Sequence, residues 1–421
     1  MTLLDFLPSL QHAAPSRIDP AVWPKTARVD DYGRLCVGGV PLSDIADEFG
    51  TPAYVLDEDD FRHRARRYRT VLKDAEIVYA GSALLTTAVA RWLREEGLGL
   101  AVCSGGELAT ALAGGVDPAR IIMHGNAKTP IELRDAVVVG VGRIVVDSPT
   151  EIALLACQVS RPQRVLLRAT PDIDMHGRAA TAVTRILHQP LLDLVGLDCH
   201  IGSQVADASL YGAAIRRMIA AMADIRAAHG VTLSELNIAG GQGVPYMSGE
   251  PELNLSELAD VVDDALDATC AAERFPRPRI VVEPGRAISA RAGVTLYRVL
   301  AVKSQPGGRT VVAVDGGMGD NPRGARYGAK YTVTLANRHS AASTHPVTIA
   351  GRHCESGDVD LPTDLHPGDL IAVACTGAYH HSMASNYNIV GRPPVVAVAG
   401  GCPREIVRRE TIADLLSRDR G

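Results

Sequence analysis

Six short motifs carry side chains able to bind phosphate, carboxylate and ammonium groups and to move protons. In chain order they are His200-Ile-Gly-Ser203-Gln204, Gly240-Gly241-Gln242-Gly243, Glu283-Pro-Gly285-Arg286, Asp320-Asn-Pro-Arg323, Cys354-Glu355-Ser-Gly-Asp358 and Gly377-Ala-Tyr379. A glycine run lets backbone N–H groups come close to a phosphate and adopt dihedrals closed to other residues. Alone, such a run is most often only a turn. Ser203 adds a hydroxyl donor and Tyr379 a phenol. Arg286 and Arg323 have the planar fork that reads a carboxylate bidentately, and Glu355 has the charge that reads an ammonium. Singly, each of these charges would more often be a solvated surface group. His200 would be a satisfied histidine at a strand end, and Glu283 a helix-start carboxylate.

The elements that must position these groups are legible in the hydrophobic pattern. Eight apolar, β-branched runs (77–80, 98–103, 120–124, 143–147, 164–169, 194–201, 236–239 and 279–283) alternate with amphipathic stretches such as 84–96, 208–229 and 256–273. Ser104-Gly-Gly-Glu107, Thr129-Pro-Ile-Glu132 and Ser148-Pro-Thr-Glu151 match the capping box, two of them with proline at the first helical position. Eight strands each followed by a helix predict an α/β fold built on a (β/α)8 TIM barrel. In such a barrel chemistry sits at the C-terminal strand ends. Ser82 follows strand one, His200 ends strand six, Gly240–Gly243 ends strand seven and Glu283 ends strand eight, so these groups are expected to meet at one mouth.

From residue 294 the pattern changes to short strands at 294–303, 310–315, 331–336, 347–350, 370–374 and 395–399, separated by Gly, Pro and Asn turns. This predicts a C-terminal β-sandwich or β-barrel. Residues 1–50 are assigned as a segment joining that domain, 51–290 as the barrel with the binding site, and 291–421 as the β-domain.

Bulk properties exclude several classes. A chain of 421 residues with 46% hydrophobic content buries a large core, and a net charge of −5 without a Lys/Arg run excludes nucleic acid and anionic membrane as partners. No apolar stretch reaches a membrane span, and the first twenty or so residues lack a basic n-region. The eight cysteines stand singly, with no CxxC pair and no histidine cluster at metal spacing. They are expected to be reduced thiols in a cytoplasmic protein with no metal site, most of them in the core, with Cys354 the exception.

The ordered motifs, together with His124-Gly-Asn126, Val146-Asp147-Ser148, Asp315-Gly-Gly-Met318 and Met383-Ala-Ser-Asn-Tyr387, resemble the alanine-racemase-like (fold type III) decarboxylases that use pyridoxal phosphate (PLP), above all the diaminopimelate decarboxylases. The resemblance runs from roughly residue 30 to the end. It implies that Ser203, Gly241, Gly243, Gly285, Arg286 and Tyr379 surround the cofactor phosphate. His200 would stack on the ring and Glu283 would pair with its nitrogen. Arg286, Arg323, Tyr327, Glu355 and Tyr379, with Asp320 nearby, would hold the far end of a diamino dicarboxylic substrate such as meso-diaminopimelate. Cys354 would be the general acid, contributed across the interface of a homodimer with shared active sites.

Three departures stand against that pattern. Ser82 occupies the position of the lysine that holds PLP as a Schiff base in the resembled family, and a hydroxyl forms no imine. The 168–195 stretch is shorter than in the resembled family, and Gln242 stands where a third glycine is usual. The chain therefore reads as a divergent carboxy-lyase relative that binds PLP non-covalently or not at all. Two other readings are a PLP-independent enzyme using the same pocket for other acid/base chemistry, and a non-catalytic subunit pairing with an active paralogue.

Overall fold

The computed structural model describes residues 18–170, 177–304, 309–353 and 356–421. These form two compact units. One takes Arg62–Val244 with Pro251–Ala287; the other takes the described part of Met1–Phe61 with Pro245–Glu250 and Ile288–Gly421.

The first unit is a closed, all-parallel barrel. Its strands are Ala75–Ala80, Gly99–Val102, Ile121–Met123, Arg143–Val146, Gln163–Ala169, Leu192–Cys199, Glu235–Asn237 and Arg279–Val282, and the eighth pairs with the first. All eight predicted strands are present. Val78, Ala101, Ile122, Val145, Leu166, Val195 and Val281, one from each of seven strands, form a buried apolar cluster. Each larger aliphatic in it contributes about 1.5–3 kcal/mol by leaving water. The N-terminal ends of the strands close on an ionic network. Glu235, 1% exposed, receives Arg143 at 2.9 Å and Arg279 at 2.6 Å, with Arg164 as a further partner, and Arg143 also pairs with Glu76. At that face of a barrel, paired buried charge serves stability and leaves the opposite end for chemistry.

Local signals set the helix starts. Thr129 accepts from Glu132 N while the Glu132 carboxylate accepts from Thr129 N, a complete capping box with Pro130 at the first helical position. At Ser104 and Ser148 only the forward bond follows the box. Glu107 and Glu151 reach one residue further back, to the backbone N–H of Cys103 and Asp147. The predicted helix at 84–96 is shorter, Thr87–Glu95, because Thr86 supplies the N-cap. Residues 81–86 therefore remain a loop.

The second unit is a nine-stranded sheet built round the twelve-residue strand Gly293–Ser304, which pairs with Thr310–Val314, Ala53–Asp57 and Leu370–Val373. Ala53–Asp57 is buried at all five positions and sits between Gly293–Ser304 and Val395–Ala399. The boundary expected at residue 51 falls before this strand, whereas the chain crosses into the barrel unit after Phe61. Strands Ser356–Pro362 and Cys402–Val407 were also not expected; both carry charged or polar residues that dilute a period-two pattern. A separate three-stranded sheet holds Arg28–Val29, Leu35–Val37 and Val40–Pro41.

Candidate active site

The C-terminal strand ends of the barrel bring together a buried polar cluster. Glu283 follows the eighth strand, His124 the third, and Asn237 ends the seventh. Glu283 Oε1 is 2.8 Å from His124 Nε2 and accepts from Asn237 Nδ2 at 2.7 Å. Asn237 Oδ1 in turn accepts from Ala239 N at 2.8 Å, which fixes the amide orientation. Asp198, near the end of the sixth strand and fully buried, takes the Arg168 guanidinium on Oδ1, while its Oδ2 has no partner among the described residues. One ligand atom each from His124, Asp198 and Glu283 lie within 4.8 Å of one another. Although that spacing suits a metal ion, Arg168 on Asp198 and His124 on Glu283 already supply the opposite charge.

Burial alone would raise the Glu283 carboxyl, but the His124 charge and the hydrogen bonds from His124 and Asn237 outweigh it and hold it low. His124 moves the other way: burial opposes its charge, and Glu283 prevails and raises it. Desolvation dominates at Asp198, whose carboxyl is raised despite nearby His124 and Arg168. His200 reaches solvent at the mouth, yet partial desolvation and the Arg168 charge depress its proton affinity.

A cradle lies beside this cluster. Val205 N donates to Gly241 O and Gly243 N to Val205 O, both at 2.9 Å, and the Gln204 amide bridges to Val244 N and O. Gly241 has φ +91°, and a Cβ there would stand 2.1 Å from Gly202 O. Only glycine fits. At Gly285 a Cβ would meet the Cβ atoms of Ala80 and Ala83 at 3.0 Å. Arg286 Nη2 donates to Ser203 Oγ at 3.1 Å, placing a guanidinium and a hydroxyl together. Gln242 is 2% exposed, and neither atom of its amide has a partner among the described residues. An open backbone loop, a guanidinium and a hydroxyl suit a phosphate, and a carboxylate held by two donors suits a protonated ring nitrogen. The residues present fit PLP in both respects.

Ser82 lies in the loop after the first strand, half-buried. Lys128 follows the third strand with its side chain 1% exposed. It donates to Gly125 O at 2.6 Å and Val145 O at 2.7 Å and forms an ion pair with Glu151 Oε1 at 2.8 Å. An ammonium so engaged has no free amine for covalent chemistry.

In the sheet unit, Arg323 opens the short helix Pro322–Tyr327. Its Nε donates to Tyr331 Oη at 2.9 Å, and its guanidinium lies 5.5–5.8 Å from the ring centres of Tyr246, Tyr327 and Tyr379. Burial works against the Arg323 charge, and the surrounding tyrosines outweigh it and hold the guanidinium charged. Asp320 turns inward: Tyr297 donates to Oδ2 and Gly317 N to Oδ1, and burial pushes its carboxyl up to about 6. Cys354 and Glu355 lie outside the described residues. Among the cysteines, Cys36, Cys199, Cys270 and Cys375 are buried as expected, while Cys103, Cys157 and Cys402 are exposed. No described helix is long and apolar enough to cross a membrane.

The sequence reading passed over Asp198, Asn237 and Arg168 as site groups. A detectable signal was present: Asp198 and Asn237 are polar residues at or next to the C-terminal ends of barrel strands, where chemistry sits, and both are fully buried. A group placed so owes its burial to a partner or a ligand.

Residues 58–290 match the family of pyridoxal-dependent decarboxylases, in their pyridoxal binding domain. The chain is 48% identical to the diaminopimelate decarboxylase of Actinosynnema pretiosum subsp. auranticum, with all of both chains covered. It is 42% identical to that of Mycobacterium tuberculosis, covering 97% of this chain and 98% of the relative. Among solved structures, the diaminopimelate decarboxylase of M. jannaschii superposes with a TM-score of 0.88 at 29% identity, covering 94% of this chain and 98% of the other.

Proposed function

Because this chain belongs to the pyridoxal-dependent, fold type III diaminopimelate decarboxylase family, we propose that it is a carboxy-lyase-type enzyme that binds PLP without a covalent link to the protein and acts on a diamino dicarboxylic acid. The observation that carries the first half is Glu283, buried and held on Oε1 by His124 and Asn237. The second half of that claim, the missing link, is supported by Ser82 at the loop after strand one and by the full engagement of Lys128.

When bound, PLP supplies the electron sink that accepts the pair left as carbon dioxide departs. The protein's own groups do the remaining work. Glu283, kept ionised, would hold a proton on the ring nitrogen. The glycine loop, Ser203, Arg286 and Tyr379 would neutralise the phosphate, and His200, largely uncharged at neutral pH, would cover one ring face. Arg323, oriented by Tyr331, would read the distal carboxylate with Tyr327 and Glu355 beside it. Cys354 would return the proton, and a homodimer would complete each site.

Titrating the purified protein with PLP and following absorbance tests this directly. Saturable binding that dialysis reverses is expected. No binding at all would overturn the proposal.

A further inference from the structure

One unexplained charged group at the barrel mouth is Asp198. It is fully buried, Arg168 occupies only Oδ1, and Oδ2 has no partner among the described residues. A buried carboxylate oxygen left open is costly unless a ligand or a cation satisfies it. Charge counting gives the class of that ligand. Arg168 is one positive charge, Asp198 and Glu283 are two negative ones, and their carboxylate oxygens lie within 4.8 Å of each other and of the His124 ring. Two like charges so placed repel unless a positive charge joins them. The His124 imidazolium, which Glu283 favours, restores the balance, and a cationic heteroaromatic ring would add the donor that Asp198 Oδ2 lacks. We infer that Asp198 is a second anionic contact beside Glu283 for the protonated nitrogen of a pyridine cofactor, making this end of the pocket selective for a cationic ring.

The inference rests on the proposed PLP site and deepens it. Without a covalent anchor, retention of the cofactor depends on such contacts, and a second carboxylate strengthens the hold on a pyridinium more than on a neutral ring of the same shape. The alternative is that Asp198 only neutralises Arg168.

Equilibrium dialysis against PLP and against its 1-deaza analogue, in which CH replaces the ring nitrogen, separates the two. The wild-type protein should prefer PLP. Asp198→Asn should cut that preference by about tenfold or more, as expected for losing one charge close to another in a partly buried site. Asp198→Glu should restore most of it. Because Asp198→Asn strands Arg168, Arg168→Met/Asp198→Asn supplies a variant with neither charge buried, and the same loss of preference is expected there. An unchanged PLP-to-analogue ratio in folded Asp198→Asn, or in the double variant, overturns the inference and leaves the PLP site standing. If the wild-type protein binds neither molecule, the PLP reading fails and the inference falls with it.

Discussion

Lys128→Met isolates a residue that could be mistaken for a covalent anchor. Its ammonium satisfies two backbone carbonyls and pairs with Glu151, whose side chain is 6% exposed and whose Oε2 accepts from Asp147 N. Removing the charge leaves a buried carboxylate and two carbonyls short of donors. Breaking a buried pair in this way costs about 3–5 kcal/mol. Burial already raises the Glu151 carboxyl, so part of that cost is recovered when Glu151 takes up a proton. The lower end, about 3 kcal/mol, is therefore expected at neutral pH, a large share of the ~5–15 kcal/mol available to a folded protein. Urea unfolding of the wild type, Lys128→Met, Glu151→Gln and the double variant measures it as a cycle. The double variant should regain much of the loss, because a neutral amide oxygen still accepts from Asp147. PLP affinity of folded Lys128→Met should stay within about twofold of wild type. A loss of stability under about 1 kcal/mol, or a collapse of PLP binding in a folded variant, would refute the assignment of Lys128 to structure.

Three further outcomes follow from the same geometry. Arg323→Ala should weaken diaminopimelate binding by about 2–5 kcal/mol in calorimetry while cadaverine, which carries no carboxylate, changes little; Tyr331→Phe should give a smaller loss of the same kind. Asp320 has a folded-state value raised to about 6 from 3.8, so its stabilising contribution is complete below about pH 4 and is lost as pH rises through about 6; the shift corresponds to about 3 kcal/mol. Asp320→Asn should therefore gain on the wild type in urea unfolding between those pH values, and a constant difference would count against the buried carboxyl. Glu283→Gln should weaken binding of PLP far more than of its 1-deaza analogue, and equal weakening would remove the carboxylate from the ring nitrogen.

The barrel was legible because its parallel strands are buried on both faces and read as largely apolar runs, each followed by a helix, several of them opened by a side-chain cap. The motifs at the strand ends were legible for the same reason: once eight strands are counted, Ser82, His200, Gly241 and Glu283 fall at one end. The first sheet strand was missed because Ala53–Asp57 is equally apolar and directly precedes a helix, so it imitates the opening of a βα unit. Only its pairing with Gly293–Ser304 and Val395–Ala399, far away in sequence, assigns it to the sheet. Asp198 was missed because one carboxylate at the end of a strand has no local partner to announce it. Its partners, Arg168 and the Glu283 cluster, arrive from neighbouring and distant strands. The commitment of Lys128 was hidden likewise, since two of its three partners, Val145 and Glu151, belong to the next βα unit.

The central claim is a PLP site without a covalent anchor, and borohydride reduction tests it most directly. The protein is saturated with PLP, reduced, digested and searched by mass spectrometry for a pyridoxyl adduct. The account predicts no adduct on any lysine of the wild-type chain, and an adduct at position 82 once Ser82→Lys restores an amine there. An adduct on Lys128 or any other lysine of the wild-type chain would contradict it.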